Sequence, residues 1–218
     1  MKMWWIPFSK TILSVFFCSL FFSASSAAIS GELAELSKEE LQTRIAKLEI
    51  GLGSYVIGKK LSADQEKTAA KFSGHKTHPG TLKFNDGDTY VIIDKDNSVV
   101  IAVYRRNKNA GKDDFKAMVG ELMLTYGEPT TMAHGKTMYW WFLEDGLIEQ
   151  ELFESVKAKG QLETIEFLAT VKFSSSLDVD TMRTQKEKNK DKKDETTLIN
   201  DNYVMIQSDV LSKKYLHQ

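Results

Sequence analysis

Cysteine is almost absent. The chain has one, Cys18, among 218 residues. Everything beyond it is therefore without internal disulfides, thiolate nucleophiles, zinc fingers, iron–sulfur clusters or covalent c-type haem. A fold built there must rest on its own core. The roughly 190 residues after position 28 are enough for one. A surplus of charge of one sign is also missing: Lys and Arg total 29 against 30 Asp and Glu. Nucleic-acid binding needs a basic excess on one face, and no such footprint is legible.

Motifs with chemistry are as scarce. Gly51, Gly53 and Gly58 do not make a phosphate loop, because no strand precedes them and no Gly-Lys-Ser/Thr follows. Asp94-Lys95-Asp96-Asn97-Ser98 invites a calcium reading, but an EF-hand loop starting at Asp94 would need Gly where Val99 stands and Glu where Arg105 stands. A hairpin turn explains the same residues. His75 and His78 have metal-site spacing, yet no third ligand is near and Pro79 argues for a loop. His134 and His217 are isolated, and a histidine base needs a positioned partner and a nucleophile. No cofactor is expected.

What is present begins with a leader. Lys2 and Lys10 precede an apolar stretch from Thr11 to Phe22, and Ser23-Ala24-Ser25-Ser26-Ala27-Ala28 follows. A short basic start, an apolar middle and a small-residue exit describe a secretory signal peptide. Cleavage is expected after Ala27 or Ala28. Five serines (Ser14, Ser19, Ser23, Ser25 and Ser26) dilute the longer run from Thr11 to Ile29, so an uncleaved anchor fits less well. A lipoprotein fits less well again, because bulky Phe16 and Phe17 precede Cys18. The expected destination is the periplasm or the extracellular space, with no stable membrane span after cleavage. Losing Lys2 and Lys10 leaves a net charge of about −3.

The rest divides into segments 29–80, 81–178, 179–197 and 198–218. The first reads as helical. Ser37 and Glu40 have capping-box spacing, as do Ser62 and Gln65. Leu41, Ile45, Leu48 and Leu52 fall at helical intervals. The second segment is the expected core domain. Asp86-Gly87 marks a turn, and Asp88–Asp94 and Ser98–Arg105 read as a hairpin. A helix opens at Asp113 and Asp114, carries Phe115, Met118, Val119, Leu122 and Tyr126 on one stripe, and stops at Gly127. Strands are expected over Thr137–Leu143 and Leu147–Phe153. A last one should place Ile165, Phe167, Ala169, Val171 and Phe173 inside, with Thr164, Glu166, Thr170 and Lys172 on a wetter face. The fold class is therefore α+β: an antiparallel sheet of about five strands, α-helices packed on one face, and N-terminal helices before it.

The third segment holds Lys186 to Glu195, a run without an apolar residue, and reads as a solvated linker. The tail beyond it offers a short strand at Tyr203–Ile206. A helix capped by Ser208 should then carry Val210, Leu211, Tyr215 and Leu216. Such a tail docks on its own core or engages a partner.

The candidate binding residues are aromatic and basic. In a strand, Tyr139 and Trp141 share one face while Trp140 and Phe142 share the other. One pair must be core, and the other is either covered or an aromatic platform for a sugar, a peptide or another envelope protein. Arg105 and Arg106, near Lys108 and Lys112, could grip a carboxylate or phosphate. These features point to a non-catalytic, exported binding protein. The alternative is a hydrolase using scattered carboxylates such as Asp86, Asp88 and Glu144. The sequence sets no oligomeric state.

Overall fold

A computed structural model describes residues 33, 35–72, 78–176 and 200–216. The leader, His75, His217 and the charged run 186–195 lie outside the described residues. Helix α1 (Lys38–Ala46) opens as its spacing predicts. The Glu40 N–H donates to Ser37 Oγ at 3.2 Å, and the Ser37 N–H donates to Glu40 Oε2 at 2.9 Å. Those bonds also hold the Glu40 carboxyl below the usual glutamate range. Helix α2 (Ala63–Phe72) repeats the device, with the Ser62 N–H donating to Gln65 Oε1 at 2.8 Å.

Between the two helices the glycines make extended structure. Strands β1 (Gly51–Leu52) and β2 (Tyr55–Val56) form a small hairpin turned at Gly53, φ 63°. Gly58 has φ 81° and brings its backbone against α1, where a Cβ would lie 2.6 Å from the Ala46 nitrogen. Gly51, Gly53 and Gly58 break the helical pattern, as expected, but earlier than the Leu48 and Leu52 spacing suggested: α1 ends at Ala46 and Leu52 is in β1, because these glycines are needed for left-handed turns and close approach.

The main sheet is antiparallel and has eight strands among the described residues, so the protein is α+β. They are β3 (Thr81–Asp86), β4 (Thr89–Asp94), β5 (Val100–Ala110), β6 (Thr131–Ala133), β7 (Thr137–Leu143), β8 (Gly146–Leu147), β9 (Ala169–Ser175) and β10 (Asn200–Gln207). The spatial order is β3-β4-β5-β10-β9-β7-β6, with β8 against β7. The expected five strands were too few: β3, β6 and β8 are short or edge elements with little alternation of their own. The tail strand β10 is interior, paired with β5 on one side and β9 on the other. Without it the sheet would have a gap in the middle.

One face carries the core. Phe84, Val91, Val103, Ile206, Val204, Val171, Phe173, Trp140 and Met138 are all at most 2 % exposed. Helix α1 covers them with Leu41 and Ile45. Helix α3 (Lys112–Tyr126) adds Phe115, Val119 and Leu122, and helix α5 (Asp209–Leu216) adds Val210, Leu211 and Tyr215. Each of these large side chains contributes about 1.5–3 kcal/mol by leaving water. Helix α5 starts where Ser208 Oγ accepts from the Leu211 N–H at 3.2 Å.

Two expectations fail between β7 and β9. Residues Leu147–Phe153 are not a strand: β8 stops at Leu147, and helix α4 (Gln150–Ala158) begins. Leu152, Phe153 and Val156 have helical spacing, and the Gln and Glu around them favour helix over strand. The last strand also starts later than its alternation suggests. A 3₁₀ turn occupies Leu162–Thr164, Leu168 is the buried residue at 1 % exposed, and Phe167 is only half-buried. Thr170 is 7 % exposed rather than wet, covered at its end by Asp209, whose carboxylate accepts from it at 3.5 Å. Finally, the helices do not all pack on one face. Phe153 of α4 lies 4.5 Å from the Trp141 ring, on the side opposite Trp140.

Candidate binding face

The face turned away from the core is built by alternation. Tyr90 on β4 pairs with Tyr104 on β5, Tyr104 with Met205 on β10, Met205 with Lys172 on β9, and Lys172 with Tyr139 on β7. One row of side chains thus crosses five strands, about 19 Å at the usual strand spacing. Every member is half-buried, as is Tyr203 beside them. Their neighbours along each strand point into the core, so the row cannot turn away without flipping the whole register.

The rings are packed on each other. Tyr90 and Tyr104 stack at 4.8 Å with 9° between their planes, and Tyr203 lies 5.7 Å from Tyr104. Lys83 on β3 sets its ammonium 5.0 Å from the Tyr90 centroid and 4.9 Å from that of Tyr104. Lys172 lies 5.7 Å from the Tyr139 centroid. A cation over a ring is attracted by the ring's quadrupole, which fixes both lysines without neutralising them. Burial pushes the Tyr203 phenol above its ordinary pKa, with nearby Tyr104 adding to the effect.

The residues expected to bind are divided by this geometry. Trp140 is 0 % exposed and Phe142 7 %, so neither ring has surface for a ligand. The indole N–H of Trp140 donates to the Gly127 carbonyl at 2.9 Å, a core role. Tyr139 and Trp141 do point to the open face. Trp141 is roofed by Phe153 and Phe167, the latter stacked at 4.9 Å, which leaves Tyr139 as the more accessible ring. Arg105 and Arg106 diverge to opposite faces and form no cluster. Arg105 Nε is 3.2 Å from Asp88 Oδ2, and Arg106 Nη2 donates to Asp201 Oδ2 at 2.6 Å.

The carboxylates of the hydrolase alternative are also separated. Asp86 accepts from the Tyr55 phenol at 2.8 Å, and burial, followed by this bond, raises the Tyr55 pKa. Asp88 is held by Arg105, and Glu144 accepts from Arg44 Nη1 at 3.0 Å. Glu144 follows β7 while Asp88 precedes β4, four strand intervals or about 19 Å across the sheet. No acid–base pair spans that gap. Among the described residues no three His, Cys, Asp or Glu side chains are grouped to hold a metal, and no helix is long and apolar enough to cross a membrane.

A surface groove of about 730 Å³ runs between α1 and residues 58–60, and Glu49 and Lys59 pair within its lining. It is open and holds no nucleophile–base pair. Tyr90, Tyr104, Tyr203, Met205, Lys83 and Lys172 were missed by sequence reasoning. The signal was available in period-two counting. Tyr90, Ile92, Ala102 and Tyr104 fall on the outer face once the buried Val91 and Val103 set the phase. Comparison with protein-family models, curated proteins and solved structures gave no match.

Proposed function

We propose that this is an exported, non-catalytic binding protein whose binding surface is the open face of the sheet. The reading is carried by one observation: an aromatic and basic row crosses five strands at half exposure, on the side that α1, α3 and α5 leave free. Large apolar rings with polar handles are typical of recognition surfaces. Side chains anchored on paired strands are also held in position before a ligand arrives, which lowers the ordering cost of binding. The engagement of Asp86, Asp88 and Glu144 in separate pairs supports binding over hydrolysis.

The test is capture from an envelope extract. The wild-type protein should retain a specific ligand or partner, and Tyr104→Ser combined with Tyr139→Ser should lose it while still melting cooperatively. Equal capture by the variant would remove the face from consideration. Turnover in a broad hydrolase screen, abolished by Glu144→Gln, would restore the enzymatic alternative. Export has its own measurement. The mature N-terminus should map to Ala28 or Ile29 by mass spectrometry, and Met1 would count against a cleaved leader.

A further inference from the structure

The open face has more hydrogen-bond donors than acceptors to offer. Lys83 and Lys172 make ring contacts but no ion pair among the described residues. The phenols of Tyr90, Tyr104 and Tyr139 have no partner there either. The carboxylates that meet this face are already committed: Asp201 accepts from Arg106 at 2.6 Å and from the Asn109 N–H at 3.2 Å, and Asp209 accepts from Gln207 and Thr170. The bonds from Arg106 and Asn109 hold the Asp201 pKa below the usual carboxylate range. A donor-rich row on a chain of slightly negative net charge complements a ligand that brings its own anionic oxygens.

We propose that this face binds an acidic polysaccharide, a chain of sugar units carrying carboxylates, laid across the strands along the row from Tyr90 to Tyr139. The inference rests on the binding-face reading above. Its geometry selects among polyanions. Single-stranded nucleic acid is held by bases stacking on free ring faces. Here Tyr90 and Tyr104 lie face against face, and Lys83 sits over both rings. What the rings present outward is edges and phenol oxygens, which suit hydrogen bonding to hydroxyls and carboxylates. An extended acidic peptide gains most by adding to a sheet edge, where main-chain groups pair. The row lies on the face, crossing β5, β10 and β9, which are interior strands.

The test uses the full mature chain and polygalacturonate as the probe, followed by calorimetry. Its methyl ester, with the same backbone and no charge, is the first control. An oligothymidylate, polyglutamate and vesicles containing phosphatidylglycerol are the others. Polygalacturonate should bind, the ester should not, and affinity should fall as salt screens the charges. Lys83→Gln with Lys172→Gln should weaken binding about tenfold or more, as loss of two charge-assisted contacts implies, while the melting temperature holds. Tyr104→Phe, which keeps the ring stack and removes one hydroxyl, should give a smaller loss. Equal binding of the ester, or tighter binding of oligothymidylate, polyglutamate or vesicles, would overturn the ligand class. No binding of polygalacturonate would overturn it as well. The binding-face reading would then still stand if the Tyr104 and Tyr139 variant loses capture from extract. Polygalacturonate binding that ignores both lysines would move that site elsewhere and overturn the proposal, and the capture test would still decide the binding-face reading.

Discussion

The phenol of Tyr215 donates to Asp94 Oδ2 at 2.7 Å, joining residues 121 positions apart. Asp94 is 0 % exposed and sits at the end of β4, at the hub of a small polar network. Lys38 Nζ is 3.1 Å away, the Asp96 N–H donates at 2.9 Å and Gln42 Nε2 at 3.4 Å. One carboxylate thereby ties the first described helix to the last.

Removing the phenol hydroxyl should be costly. Tyr215→Phe keeps the ring in the core but leaves a buried charge short of a donor, so a loss of about 1.5–3 kcal/mol is expected from a bond to a charged group. Urea unfolding checks it. A change under 0.5 kcal/mol would mean that water replaces the hydroxyl, since surface changes fall in about that range.

The same carboxylate sets an acid limit. Burial pushes the Asp94 pKa up, but the donors from Tyr215, Asp96 and Lys38 outweigh it and the net shift is downward. A depressed folded-state pKa gives stability that is complete above the unfolded value, about 3.9, and is lost as pH falls below it. Melting temperatures of the wild type should therefore drop more steeply below pH 4 than those of Asp94→Asn, which starts lower at neutral pH. Parallel curves would place the acid sensitivity elsewhere, for example at Asp201.

Leu168 and Phe167 reverse the expected order of importance. Leu168 is 1 % exposed, so Leu168→Ala should cost about 2–5 kcal/mol. Phe167 is half-buried against Trp141, and Phe167→Ala should cost less, with a change in tryptophan fluorescence. A larger loss at Phe167 would show that the segment continues as a strand from residue 164.

Much of this was legible and the failures share a cause. Both capping boxes, the stripe of α3, the Gly127 stop and the Asp86-Gly87 turn are local chemistry, fixed by residues three or four apart. Strands β3 and β6, and the interior place in the sheet of the expected tail strand β10, depend on partners far along the chain, and no short window contains them. Phe167 broke the alternation because Trp141 offered a ring to stack on, and tertiary contact overrode the pattern. The binding face was half visible. Tyr139 and Trp141 drew attention as a run, whereas Tyr90, Tyr104 and Met205 form a row only after three separate strands pair.

The tail gives the strongest prediction. Strand β10 pairs with β5 through Asn202–Gln207 and with β9 through the same residues, and Val204 and Ile206 are at most 2 % exposed. Deleting residues 199–218 would open two ladders, bare the Val103 and Val171 side chains, and remove the Tyr215 donor from Asp94. That is more than a domain with total stability of about 5–15 kcal/mol can lose. The truncated chain should therefore fail to fold, seen as lost near-ultraviolet circular dichroism. Cutting the chain is a different matter. Brief trypsin treatment within 186–195 should leave the fragment bound through gel filtration, because every contact of β10 and α5 remains. A truncated protein that melts cooperatively within a few degrees of the wild type would show that β5 and β9 can close the sheet without it.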